Sequence, residues 1–70
     1  MRYAEVSVNS PLAQRRTFSY EIPPGIEASV GQAVWVPFGA RTLQGISMAL
    51  SQYPAVTEVR RIIAPIRPPP

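Results

Sequence analysis

The sequence predicts a mainly β fold, a small antiparallel barrel-like rolled sheet of about five strands with room for one short helix. Apolar and polar residues alternate over several short segments, which is the pattern of half-buried strands. Turn-forming residues separate these segments about every 8–12 residues. Nine prolines among 70 residues argue against long helices. A barrel-like closure would also remove exposed strand edges, which matter in so small a sheet.

The first two strands are predicted at 3–8 and 17–22, each bounded by turn residues such as Asn9 and Pro11. Alternate residues of a strand point to the same side of the sheet. The apolar residues of each segment share one side, which is expected to face the core: Ala4, Val6 and Val8 in the first, and Phe18, Tyr20 and Ile22 in the second.

The stretch 34–39, Val-Trp-Val-Pro-Phe-Gly, is predicted to begin as the central strand and to end as a turn. Val34 and Val36 point to one side and Trp35 to the other. Pro37 has no backbone N–H, so strand pairing weakens there. Gly39 can adopt a positive φ and lets another molecule approach its backbone closely.

Two further strands are predicted at 43–51 and 59–64. In the first, alternation places Ile46, Met48 and Leu50 on one face, and Gly45 indicates a bulge or a bend. The second is rich in β-branched residues, which favour a strand over a helix starting at Thr57.

The module is expected to span 4–66. The Pro-rich segment 67–70 is expected to be the start of an extended linker to a missing remainder.

The composition excludes most catalytic and metal sites. The chain has no histidine and no cysteine, and its sequence contains neither lysine nor aspartate. This rules out a Ser-His-Asp arrangement, a P-loop and the usual zinc site, so we expect a binding module and not an enzyme. No apolar run is long enough to span a membrane, and we expect a cytoplasmic location.

The net charge of +3 and the pI of about 10.2 favour an anionic partner, most often nucleic acid. The alternative is that the charge only keeps the protein soluble. Three groups could bind such a partner: the arginines and aromatics at 15–20, the turn at 37–39 with Arg41, and the pair Arg60-Arg61. For each group a purely structural role is also open, as core aromatics, as an ordinary hairpin turn or as a solvated face.

The order of these motifs resembles the start of the PriA family, the primosomal replication-restart helicases (primosomal protein N′). The resemblance covers nearly all of the chain and is carried by five pieces: Thr17-Phe18-Ser19-Tyr20, Pro24-Gly25, Val30-Gly31, the stretch 34–39, and Gly45-Ile46. It implies a domain that recognises the free 3′-OH end of the nascent leading strand at an arrested fork. The implied partners are DNA with a free 3′ end, forked DNA and the helicase body. In that family ATP and zinc are used elsewhere, so no cofactor is expected in this chain.

The resemblance also implies site residues. Phe18 matches the family's pocket aromatic, Gly39 the glycine whose backbone lies against the terminal nucleotide, and Arg60 a basic residue near the last strand. Ser19 departs from the best-known form of the family, which has an aspartate there that can hydrogen-bond the terminal base or sugar, although serine still donates and accepts. The expected pocket lies between Phe18, Ser19 and Gly39. The arginines expected to neutralise phosphates are Arg60, Arg16, Arg41 and Arg61.

Two other functions suit the same pattern. One is a small SH3-like barrel that acts as a protein-interaction or ribosome-associated module. The other is a structural domain that packs on a larger enzyme and has no ligand of its own. Salt dependence separates the interaction barrel from a DNA module, because DNA affinity falls steeply with salt. Removal of a purely structural domain would lower the stability of the larger enzyme without changing its DNA affinity.

Overall fold

The computed structural model describes residues 2–11, 16–53 and 59–67, and this part of the chain forms one curled sheet with the shape of half a barrel. The strands are β1 (Arg2–Val8), β2 (Thr17–Ile22), β3 (Ala33–Phe38), β4 (Arg41–Ser51), β5 (Arg60–Arg61) and β6 (Ala64–Pro65). Their order in the sheet is β5-β2-β1-β4-β3-β6. The predicted mainly β, rolled sheet is confirmed.

The pairing is antiparallel throughout the described sheet except between β2 and β5, which run parallel. The described residues contain no α-helix. The helix start considered at Thr57 lies outside the described residues, as do residues 68–70 of the expected linker.

The core fills the concave side of the sheet. The inward faces predicted for β1 and β2 are confirmed, apart from Phe18, which is only partly buried. Val34 and Val36 of β3 are fully buried against them. The buried hydrophobic residues are Ala4, Val6, Val8, Tyr20, Ile22, Ala28, Val34, Val36 and Ile62.

The segment after β5 bonds to both edges of the curled sheet. The Ile62 amide donates to the Glu21 carbonyl oxygen of β2 at 3.0 Å, and the Ile63 amide donates to the Trp35 carbonyl oxygen of β3 at 2.8 Å. The prediction of one continuous strand at 59–64 is therefore wrong. The chain crosses from one edge to the other within two residues, which a single regular strand cannot do, so it forms the two short strands β5 and β6.

The prediction that Ile46, Met48 and Leu50 share one face of β4 is also wrong. Ile46 lies opposite Ser7 on the outer face, whereas Leu50 lies opposite Ala4 of the inner face. The register between β1 and β4 shifts between them, because Met48 has no partner on β1. Such a bulge reverses which side later residues face. The three side chains are 42%, 54% and 45% exposed, respectively.

Gly45 is required by a close approach of β1. A Cβ at this position would lie 2.5 Å from the Val6 Cγ1 atom and 3.0 Å from the Ser7 carbonyl oxygen. The glycine therefore allows β1 and β4 to pack closely, while the bulge that the sequence suggested near it occurs at Met48.

Candidate nucleic-acid interface

The two phenylalanines of the chain meet at one end of the half-barrel. Phe18 lies near the start of β2 and Phe38 at the end of β3, strands that are not neighbours in the sheet. The curl of the sheet brings the ring centroids to 5.1 Å with 75° between the ring planes, an edge-to-face pair. Both rings are only partly buried, so each leaves some aromatic surface toward solvent.

Gly39 begins the two-residue turn that joins β3 to β4, and Phe38 and Arg41 oppose each other across it. Its φ of +61° is one that a residue with a side chain rarely adopts. The Arg60 guanidinium donates from Nη1 to the Gly39 carbonyl oxygen at 2.7 Å. We call the end of the sheet bounded by Phe18, Phe38, Gly39 and Arg60 the mouth.

Tyr20 fixes the same turn from inside the barrel. Its hydroxyl donates to the Pro37 carbonyl oxygen at 2.7 Å, and the residue is 4% exposed. Burial raises the pKa of Tyr20 above its ordinary value of 10.0, and the nearby Arg60 charge offsets part of that rise. The phenol therefore stays protonated and able to donate at neutral pH. Tyr20 and Arg60 thus hold two carbonyl groups on either side of Phe38, one near the end of β3 and one in the turn.

The side chain of Ser19 lies on the outer face of β2, opposite Glu5 of β1. Its hydroxyl donates to one carboxylate oxygen of Glu5, and the Thr17 hydroxyl donates to the other at 3.4 Å. The structure thus brings Phe18, Gly39 and Arg60 together at the mouth and directs the Ser19 side chain to the opposite face. A contact between Ser19 and DNA stays a prediction.

A family model of the 3′ DNA-binding domain (3′BD) of PriA matches residues 5–70 of the chain. The chain belongs to this family. It is therefore a DNA-binding domain of the primosomal replication-restart system, and such a domain is not catalytic by itself. The comparison with curated proteins finds no match.

Three other arginines of this PriA domain were predicted to contact DNA phosphates: Arg16, Arg41 and Arg61. Arg41 is exposed and directly opposite Phe38. Arg16 is exposed just before β2. Arg61, next to Arg60 but opposite Glu21, forms an ion pair with that carboxylate at 3.4 Å. In the described part of the chain, Arg16, Arg41 and Arg60 form no ion pair.

Sequence reasoning about the PriA domain missed the roles of Tyr20 and Glu5, and it named Phe38 within the candidate turn 37–39 without pairing it with Phe18. One signal could have identified Tyr20, since a buried tyrosine hydroxyl usually requires a hydrogen-bond acceptor. Glu5 was the acidic residue of an alternating strand and could not be assigned to Ser19 until the register of β1 against β2 was known.

The PriA domain shows no group of three or more metal-ligating side chains within the residues described. No helix in the same residues is long and apolar enough to cross a membrane.

Proposed function

We propose that this PriA domain binds the 3′-terminal nucleotide of a DNA strand at the mouth, and that its target is the free 3′-OH end of the nascent leading strand at an arrested fork. The observation that carries the proposal is the convergence of an aromatic pair, a glycine turn and an arginine at one end of the sheet. These groups match the base, the sugar and the phosphate of one nucleotide.

Each group has a distinct task. The exposed surface of Phe18 and Phe38 supports stacking of the terminal base, which is tolerant of base identity. Gly39 presents backbone without a side chain, so the sugar can approach closely. A guanidinium has five N–H donors, so the bond from Arg60 to Gly39 leaves others for a phosphate.

The preference for a hydroxyl end follows from the acceptors at the turn. The carbonyl oxygens of Pro37 and Gly39 each accept one side-chain hydrogen bond and have a second lone pair. A 3′-OH can donate to such an oxygen, whereas a 3′-phosphate is an acceptor and is repelled by it. We therefore expect the mouth to discriminate between these two chemical ends.

The test is fluorescence anisotropy with one short single-stranded DNA that carries either a 3′-OH or a 3′-phosphate. Tighter binding of the hydroxyl end, with affinity that falls as salt rises, is the expected result. Equal binding of both ends would reduce the domain to a general basic surface. Absence of binding to either end at low salt, by protein shown to be folded, would overturn the proposal.

Phe18→Leu tests the aromatic contact while keeping an apolar side chain of similar size. Because stacking on an aromatic ring is worth about 1–3 kcal/mol per base, we expect end affinity to fall roughly 5- to 150-fold. Tyr53→Leu is the matched control, since Tyr53 is 78% exposed and follows β4 at the end remote from the mouth. Equal effects of the two changes would contradict a role of Phe18 at the DNA end.

We further propose that the domain works in the cytoplasm as part of a PriA-type helicase whose ATP and zinc sites lie in other parts of that protein. The domain itself then needs no cofactor. DNA binding by the isolated 70-residue chain should be unchanged by a metal chelator and by omission of ATP. A loss of binding on chelation would show that a metal contributes.

A further inference from the structure

A second concave site lies at the other end of β2. It is a cleft of about 420 Å³ between the start of β1 and the turn that follows β2. Apolar residues such as Ile22, Pro23 and Ile26 line it together with the charged residues Arg2, Glu21 and Arg61. The mouth residues Phe18, Phe38, Gly39 and Arg60 do not line this cleft, so it is a separate site.

The cleft presents positive charge to solvent. Arg61 and Glu21 form an ion pair at 3.4 Å, but the Arg61 side chain is 64% exposed and the Glu21 side chain only 14%. The guanidinium is therefore the more accessible group of the pair. Arg2 is also exposed and forms no ion pair with the described residues. A ligand that enters the cleft meets two guanidinium groups and one shielded carboxylate, which favours an anion.

The cleft is connected to the mouth by β5. Arg60 lies opposite Tyr20 and reaches the mouth, and the next residue, Arg61, lies opposite Glu21 and lines the cleft. Phe18 and Ile22 are four residues apart on β2, which corresponds to roughly 13 Å at about 3.3 Å per residue. Stacked nucleotides rise about 3.4 Å each, so this separation spans roughly four nucleotides.

We propose that the cleft binds the phosphodiester backbone of the same DNA strand, roughly three to five nucleotides before its 3′ end. This inference rests on the proposed function, since the mouth must hold the terminal nucleotide. Arg60 and Arg61 are consecutive residues of an edge strand, so their side chains leave opposite faces, Arg60 toward the mouth and Arg61 toward Glu21 and the cleft. A DNA strand that passes around this edge meets both guanidinium groups with successive phosphates, which favours a nucleic-acid strand over an acidic peptide.

The test measures length dependence with oligothymidylates of two to eight nucleotides that carry a free 3′-OH. For the unaltered chain, affinity should rise up to about five nucleotides and then level off. Arg61→Gln and Arg2→Gln should each weaken binding of the eight-nucleotide strand about two- to fivefold and lower the salt slope by about 0.7. They should leave the dinucleotide unaffected. Arg67→Gln, an exposed arginine outside the cleft, is the matched control.

Glu21→Gln distinguishes an effect of charge on DNA binding from an effect of the lost ion pair on folding. It breaks the same ion pair as Arg61→Gln, yet it should strengthen binding of the eight-nucleotide strand, because it removes the one negative charge among the described residues that line the cleft. A purely structural role of the pair would make both variants weaker binders.

The outcomes distinguish the two proposals. If the unaltered chain prefers a 3′-OH dinucleotide but gains nothing with length, or if Arg61→Gln behaves like Arg67→Gln, the cleft inference is overturned and the mouth stands. Binding of an acidic peptide in the cleft, with no length dependence for DNA, would overturn it as well. If the dinucleotide shows no 3′-OH preference, the proposed function itself fails.

Discussion

Replacing Tyr20 by phenylalanine removes a single hydroxyl that holds the turn of the mouth. That hydroxyl donates to the Pro37 carbonyl oxygen at 2.7 Å, and Tyr20 is 4% exposed, so water has little access to replace the bond. A bond of this kind contributes about 0.5–1.5 kcal/mol to stability. In a domain of this size a loss of about 1 kcal/mol lowers the Tm by about 4–8 °C. We expect Tyr20→Phe to show this loss.

The assay compares Tyr20→Phe with Tyr53→Phe, which removes the same atom from a side chain that is 78% exposed. Thermal unfolding followed by circular dichroism should show a lower Tm for the first variant only. Binding at a temperature where both are folded should show a smaller preference for 3′-OH over 3′-phosphate in Tyr20→Phe, because the turn is less firmly held. An unchanged Tm would refute the energetic reasoning, and an unchanged preference would refute the positioning role.

The titration of Tyr20 gives an independent readout. Its pKa is raised in the folded state, so the unfolded chain loses this proton first as the pH rises. The resulting contribution to stability is fully present below about pH 10 and is lost as the pH rises through the folded-state pKa. The free energy of unfolding of the unaltered chain should therefore fall more steeply above pH 10 than that of Tyr20→Phe. If the two free energies of unfolding fell in parallel above pH 10, burial of the Tyr20 phenol would not contribute to the pH dependence of stability.

Three further changes test the sheet itself. Gly45→Ala should destabilise the domain by about 1–3 kcal/mol, since its Cβ would lie 2.5 Å from the Val6 Cγ1 atom; an unchanged denaturation midpoint would mean that β1 moves aside easily. Ser47→Ala should raise the Tm, because the Ser47 hydroxyl is buried without a hydrogen-bond partner in the described residues and such a group costs about 1–3 kcal/mol; a lower Tm would indicate a bond that this change breaks. Ser19→Asp should destabilise the domain by about 0.2–1 kcal/mol, since like charges directly opposite on paired strands repel, and Glu5→Gln should relieve that loss; equal effects of Ser19→Asp in both backgrounds would exclude the coupling.

Alternation predicted the strands whose inner face packs on the core. In β1 and β3 the inward valines are buried and the residues between them are not. Their period of two is a local property, and hydrophobic burial acts on it directly, so the sequence alone reveals it. The turn at Gly39 was predictable for the same reason, because a positive φ depends on the residue and its neighbours.

The side of the sheet to which each β4 side chain points was not predictable from the sequence, because it depends on how β4 pairs with β1. The bulge at Met48 is defined only against β1. It lies between Ile46 and Leu50 and places their side chains on opposite sides of the sheet. Likewise, nothing local indicates that Ile62 bonds to β2 while Ile63 bonds to β3. These features arise from contacts between residues far apart in sequence.

The position of Ser19 shows how the two kinds of information combine. A strand that points Phe18 inward must point its neighbour outward, so alternation alone places the Ser19 side chain away from the ring. The register then places Glu5 opposite it, and the serine hydroxyl donates to that carboxylate. An aspartate at 19 would confront Glu5 with a second negative charge, whereas serine supplies a donor. The outer face of this chain thus has its carboxylate on β1, where it accepts the hydrogen bond of the β2 serine.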